Sequence, residues 1–277
     1  VILVLGSTGT TGSRVAQALD ARNVETRLAT RHPVSPNDVF FDWGDVDSHA
    51  QALHDVTGVY VVAPVGSADP LPVVAHFLEL AVQQGIRRFV ALSSSALDRG
   101  TPGLGEIHDA VASMVPEWAV LRPSWFMQNF VGRTPLADGV RDGEIVSATG
   151  EGRVAFVDAL DIAAVAAHAL TDPEPHNTDH IVTGPTPLSY GDAAALISAR
   201  TRTEISHRSI TVDELAQRYI EHGLPADFAG ILAAMDADIS RGAEDRATDV
   251  VERVTGQPAR TFEAFVKAHF ATIPSGN

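Results

Sequence analysis

The 277-residue chain contains no cysteine, which excludes disulfides, thiolate nucleophiles and cysteine-ligated metal sites by inspection. Lysine is almost absent as well, Lys267 standing alone against nineteen arginines. Positive charge is in deficit, with 20 Lys plus Arg against 35 Asp plus Glu and a formal net charge of −15. A surface that negative repels phosphodiester backbones at long range, so nucleic acid is not an expected partner. No apolar run reaches membrane-spanning length and no charged-then-apolar leader opens the sequence, so the expectation is a cytoplasmic protein with no membrane partner. His176, His180 and His207 lack a spacing such as H-E-x-x-H, and no metal is expected. No internal repeat or low-complexity tract is present.

What the chain does have is a first dozen residues around which the rest can be organised. Val1-Ile2-Leu3-Val4-Leu5 suits a strand buried on both faces, and Ser13 to Leu19 carries helical spacing. Between them Gly6, Ser7, Thr8, Gly9, Thr10, Thr11 and Gly12 form a glycine turn, spaced G-x-x-G-x-x-G rather than G-x-G-x-x-G. Such a turn presents backbone N–H groups at a helix N-terminus, where the dipole also favours an anion, so it can seat a diphosphate without a basic side chain. The ligandless alternative is a tight strand-to-helix connection. A G-x-x-x-x-G-K-[ST] loop is excluded, since no lysine follows the glycines.

Hydrophobic residues make up 45% of the chain, ample for one large α/β unit or a main domain with an annex. Val24 to Thr30 reads as a second strand ending in Arg31-His32-Pro33. An acid there would accept from a ribose 2′-OH and mark NAD, whereas Arg31 suits a 2′-phosphate, so NADP(H) is the expected cofactor. Asp38 to Trp43 gives a third strand and a turn against the adenine, with Asp42 accepting from its amine and Trp43 either walling the pocket or joining the core. Residues 47–54 read as a helix. Gly58 to Pro64 is a fourth strand whose end, Ala63-Pro64, would pass the cofactor ribose. A helix over Leu71 to Gly85 precedes a fifth strand, Arg87 to Leu92, and this β-α-β-α-β alternation predicts a parallel sheet.

Strand five ends in Ser93-Ser94-Ser95, at the carboxyl edge where open α/β sheets bind ligands. In short-chain dehydrogenases a serine here polarises the substrate carbonyl and a Tyr-x-x-x-Lys pair supplies the proton. Here the tyrosines are Tyr60, Tyr190 and Tyr219 and the one lysine is Lys267, so no such pair can be drawn. On the next helix, about Gly105 to Val115, His108 takes the tyrosine's place and Ala112 the lysine's. A ketone needs a positioned acid when it is reduced, worth roughly 10²–10⁴-fold, while an iminium arrives already charged. Hydride delivery to a pre-activated electrophile is therefore expected, with His108 or Ser94 as candidate proton donors.

A sixth strand, Trp118 to Pro123, leads into Ser124-Trp125-Phe126-Met127-Gln128-Asn129-Phe130. With Gly6 to Gly12, Thr30-Arg31, Phe41-Asp42-Trp43, Tyr60 to Pro64 and Val157 to Ala163, this run resembles the NmrA-like branch of atypical short-chain dehydrogenases, most closely the festuclavine and agroclavine dehydrogenase group. The resemblance implies a Rossmann domain, NADPH, and reduction of an iminium or activated double bond without a Tyr/Lys pair. The same branch also resembles quinone reductases and cofactor-sensing regulators. Ser93 and Pro123 would flank the nicotinamide, with Trp125, Phe126 and Met127 walling an apolar pocket or else plugging the core.

The remainder reads as a smaller, mostly helical lobe. Ile145 to Ser147 and Val154 to Phe156 look extended, Asp158 can cap a helix to Leu170 with Asp161 in its first turn, and Asp179 to Gly184 returns to the sheet. Ser189 opens a helix to Thr201, Glu204 to Ile210 is a strand, and helices follow over 212–222, 226–241, 246–255 and 261–271. The expected architecture is thus a Rossmann-type doubly wound parallel sheet over 1–130, with 131–277 forming the substrate lobe and returning strands to the sheet. The expected function is an NADPH-dependent reductase of a small apolar substrate in secondary metabolism, with a homodimer left open. A redox-sensing NADP-binding module and a non-redox isomerase or cyclase are the alternatives.

Overall fold

A computed structural model describes residues 1–67 and 69–271. In chain order the elements begin with β1 (Ile2–Val4), α1 (Gly12–Asp20), β2 (Thr26–Thr30), β3 (Asp38–Phe40), α2 (Asp47–Ala52) and β4 (Gly58–Val61). Next come α3 (Leu71–Gln83), β5 (Arg88–Leu92), α4 (Leu104–Met114), β6 (Glu117–Pro123), α5 (Pro135–Asp142), β7 (Glu144–Ser147) and β8 (Arg153–Val154). Then follow α6 (Ala159–Thr171), β9 (Thr178–Val182), β10 (Leu188–Ser189), α7 (Tyr190–Thr201) and β11 (Ser206–Ser209). The last are α8 (Val212–Glu221), α9 (Ala226–Ser240), α10 (Val250–Thr255) and α11 (Phe262–His269).

The chain divides into two compact units. The first comprises Val1–Pro123, Ala159–Val182 and Val250–Gln257. Its seven strands pair in parallel in the order β3-β2-β1-β4-β5-β6-β9, the doubly wound Rossmann arrangement. Strand order reverses between β2-β1 and β1-β4, so the chain leaves the ends of β1 and β4 in diverging directions and opens a crevice at the carboxyl edge. Alternation along the strands sends Leu3, Leu5, Val59, Val61, Phe89, Ala91 and Val120 into one core layer with Phe77 and Leu78 of α3 and Ile107 and Val111 of α4. Alternate residues, among them Val4, Tyr60, Val90 and Leu121, are buried as well. That is why these strands read as unbroken apolar runs.

The second unit comprises Ser124–Asp158, Thr183–Asp249 and the segment from Pro258 onward. Its strands are short and pair two by two, β7 with β11 in parallel and β8 with β10 antiparallel. Helices supply most of its mass, and their starts carry the expected chemistry. Ser189 and Asp192 close a capping box on α7, Thr211 and Glu214 one on α8, and Thr134 and Thr261 cap α5 and α11. Gly143, at φ +86°, ends α5 in the left-handed region that glycine adopts without strain. The core is aromatic: Phe130 meets Phe156 and Phe262 edge-on, with ring centroids 5.1 and 4.9 Å away.

Three local features depart from the sequence expectation. The helix expected from residue 246 begins at Val250, because the Thr248 N–H is spent on the Thr183 hydroxyl at 2.8 Å and the Arg246 N–H on the Glu244 carbonyl at 2.8 Å. Met127–Phe130 forms a 3₁₀ turn that no periodicity announced. The two-residue strand β10 is equally unannounced, being set by its partner Arg153–Val154 rather than by a pattern of its own. Among the described residues no helix is long and apolar enough to cross a membrane.

Candidate functional site

The first unit gathers its candidate residues at one sheet edge. Because β1, β2, β3, β4, β5 and β6 run parallel, the glycine crest after β1, Arg31 after β2, Asp42 and Trp43 after β3, Ala63 and Pro64 after β4, Ser93 and Ser94 after β5 and Pro123 at the end of β6 all emerge on the same side. The crest is tightly wound. Gly6 sits at φ +62° and its carbonyl accepts the Gly9 N–H at 2.9 Å. The Ser7 hydroxyl donates to the Ala29 carbonyl at 2.8 Å, tying the turn to β2.

A Cβ on Gly12 would lie 2.2 Å from the Gly6 carbonyl oxygen, so only glycine lets α1 start this close to β1. Thr8, Gly9 and Thr10 are exposed, and the N–H groups of Thr10, Thr11 and Gly12 donate to no described residue. Unpaired donors at a helix N-terminus, beside an exposed crest and with Thr11 and Gly12 themselves buried, fit a nucleotide diphosphate. At the end of β5 the buried Ser93 Oγ has no partner among the described residues, a donor and acceptor left open at the same edge.

Other residues of this edge are committed to protein contacts. Trp43 packs edge-on to Phe41 and Phe77, with centroids 5.0 and 5.4 Å away, and its indole N–H donates to the Val62 carbonyl at 3.1 Å. Of the two roles open to it, the core role is visible. Asp42 accepts the Gly44 N–H at 2.8 Å, and Arg31 is exposed with no ion pair among the described residues.

Ser94 Oγ accepts the Ala96 N–H at 3.2 Å. The Arg122 guanidinium, 9% exposed, donates towards the Ser94 carbonyl at 3.4 Å and pairs with Asp98 at 2.8 Å and Asp179 at 2.9 Å. Burial alone would raise the Asp179 carboxyl, yet Arg122 holds it below its ordinary range. This bracing arginine was legible only as a charge inside the apolar run of β6.

His108 does not open onto the edge. It is 3% exposed, its ring centroid lies 6.1 Å from that of Trp118 near the start of β6, and its Nδ1 has no partner among the described residues. Burial lowers its pKa, with Asp179 pulling the other way and Arg122 adding to the fall. The imidazole expected as a proton donor is thus packed, because the i, i+3, i+4 face of α4 that carries Leu104, Ile107 and Val111 also turns position 108 inward.

The second unit holds a cavity of about 490 Å³, a size that suits a small organic ligand. Trp125 lines it, together with Tyr190 at the start of α7, Leu215 and Tyr219 of α8 and Met235 and Asp236 of α9. Met127 does not line it. The 3₁₀ turn carries that side chain, 0% exposed, into the core beside Phe130 and Phe156, the second of the two places open to it. Phe126 is half-buried and bridges to Val157 through its backbone.

Burial raises both the Tyr190 and Tyr219 phenols, and Asp236 adds to each, so both stay protonated donors at neutral pH. Sequence reasoning missed Tyr190, Tyr219 and Asp236 because they come from three separated elements. The one signal was an acid inside the apolar run of Ile231 to Ala237. Among the described residues no group of three or more His, Asp or Glu could hold a metal ion.

A family model described as NAD(P)H-binding matches residues 6–173. An uncharacterized oxidoreductase of Bacillus subtilis, YesF, is 44% identical over 273 residues, covering 98% of this chain and 95% of that protein. Agroclavine dehydrogenase of Claviceps fusiformis is 36% identical over 280 residues, covering 96% of each. Among solved structures, an NADPH-dependent quinone oxidoreductase of Escherichia coli complexed with NADPH superposes with a TM-score of 0.81 at 20% identity, covering 97% of this chain and 99% of that one.

Gly12→Ala tests the crest directly. Calorimetry on the folded variant is expected to show affinity for both NADPH and NADH weakened by about 100-fold, roughly 3 kcal/mol. Unchanged affinity would show that the turn does not carry the nucleotide.

Proposed function

This chain belongs to the NAD(P)H-binding family of oxidoreductases, with clavine dehydrogenases among its relatives, and from that premise we propose that it is an NADPH-dependent reductase of an activated C=N or C=C bond. The observation that carries this is a vacancy of chemistry at the first unit's edge. Tyr60, the one tyrosine of that unit, is buried inside β4, and Lys267 lies on α11 in the second unit. No phenol and ammonium stand together where Ser93 and Ser94 emerge. A site so equipped favours substrates that accept hydride without simultaneous protonation, such as an iminium, enone or quinone.

When bound, NADPH supplies the hydride. The N–H groups of Thr10, Thr11 and Gly12 hold its diphosphate, and Arg31, uncommitted to any described carboxylate, pairs with the 2′-phosphate. Asp42 would meet the adenine beside the packed Trp43, while Ala63, Pro64, Ser93 and Pro123 would line the rest of the nucleotide's site along the edge. Ser94, with its backbone braced by Arg122, is the group left to assist a proton.

The cavity of the second unit takes the substrate. Trp125 offers a flat apolar wall, and the Tyr190 and Tyr219 phenols offer neutral donors. Orientation against such walls can supply several powers of ten in rate. The clavine dehydrogenases among the relatives support a substrate of secondary metabolism.

Two experiments test the proposal. Arg31→Ala is expected to weaken NADPH by about tenfold or more and NADH hardly at all; equal losses would contradict the 2′-phosphate assignment. A panel of iminium, enone, quinone and simple alcohol substrates is expected to show NADPH consumption with the electron-poor members and negligible NADP⁺ reduction by the alcohols. Binding of NADPH without consumption would favour a sensor, and brisk alcohol oxidation would overturn the mechanism.

A further inference from the structure

The cavity of the second unit contains a carboxyl buried where a charge is costly. Asp236, in α9, is 5% exposed. Its Oδ2 accepts the Ala148 N–H at 2.9 Å, while its Oδ1 makes no hydrogen bond or ion pair among the described residues. Burial raises the group to about 6, against the pull of the Ala148 N–H. A carboxyl that lines a cavity with one oxygen free lacks the counter-charge that would make its ionised form comfortable.

The surrounding charges do not supply it. Asp138 pairs with Arg141 and Glu144 with Arg208, leaving Asp142 and the exposed Arg218 as the remaining strong charges of the lining. His222, also on the lining, turns its Nδ1 to the Arg218 carbonyl at 2.7 Å. His207 is held by the Ser147 hydroxyl at 2.8 Å, and burial lowers its pKa, so it stays neutral near pH 7. The Tyr190 and Tyr219 phenols are neutral too. An exposed guanidinium is screened by water and salt far more than a buried carboxylate. Inside the cavity the least screened charge is therefore negative.

We infer that Asp236 is the counter-ion that selects a flat organic cation, of the iminium or N-alkylated heteroaromatic class, for this cavity. The inference rests on the proposal above that this cavity holds the substrate, and it narrows the candidate electrophiles to the charged one. A quinone or enone would bring acceptor oxygens towards an acceptor-only carboxylate. A cation instead gains from the free Oδ1 and from the aromatic side chains that line the cavity, Trp125 and Tyr219 among them. Its arrival favours the ionised carboxyl, so its binding releases a proton wherever Asp236 is protonated beforehand. Affinity for the cation therefore falls as pH drops through about 6.

The probes are the N-methylisoquinolinium cation and its neutral near-isostere N-methylisoquinolone, titrated into the full chain saturated with NADP⁺. Wild-type protein is expected to prefer the cation by about tenfold near pH 7, and to lose most of that preference by about pH 5 while affinity for the lactam holds steady. Asp236→Asn is expected to abolish the preference and its pH dependence, leaving the lactam within about threefold. No preference in the wild type, or a preference that is flat with pH, overturns the inference without needing the variant to fold. A preference that survives in a folded Asp236→Asn overturns it too. Turnover of neutral quinones with no cation preference sinks this inference while the reductase assignment stands. Cation preference without NADPH consumption by any electrophile sinks the reductase assignment while Asp236 keeps its role.

Discussion

The structure of the first unit depends on one close approach: the first residue of α1 lies so near the Gly6 carbonyl that a single methyl at Gly12 would stand 2.2 Å from that oxygen. No side chain can enter, so helix and strand meet with almost nothing between them. That proximity leaves the N–H groups of Thr10, Thr11 and Gly12 without a backbone acceptor among the described residues, at the positive end of a helix. The parallel sheet then delivers the ends of five further strands to the same edge, from Arg31 to Pro123. A nucleotide site here follows from strand order and one missing Cβ rather than from a basic pocket, which suits a chain carrying a net charge of −15.

Scarcity of lysine shapes the rest. Where many oxidoreductases of this fold place a phenol beside an ammonium, this edge has two serines, one with an unpaired hydroxyl, and a buried arginine occupied by Asp98 and Asp179. Arginine does not lose its proton at physiological pH, so Arg122 can brace the Ser94 backbone but cannot relay a proton. Acid–base capacity lies instead in the second unit, where burial raises Asp236 to about 6 and keeps two phenols protonated.

Much of this was legible in the sequence, for local reasons. Strands buried on both faces announce themselves as apolar runs, the glycine turn has its own spacing, and the capping residue Ser189 marks where α7 starts. Tertiary decisions were not legible. Whether Met127 faces a cavity or the core is set by a 3₁₀ turn that hydrophobicity does not encode, and the inward turn of His108 by which face of α4 meets β6. The start of α10 was displaced by a hydrogen bond between Thr248 and Thr183, 65 residues apart. The cavity of the second unit was the least readable part, because Trp125, Tyr190, Tyr219 and Asp236 are polar or aromatic singletons on elements far apart in sequence.

The most direct test of the central claim is the fate of hydrogen from NADPH deuterated at the transferable position, followed by mass spectrometry of the product of a single turnover with an iminium substrate. The account predicts one deuterium on the former iminium carbon and a slowed rate. Product without the label, or label retained entirely by the nucleotide, would contradict it.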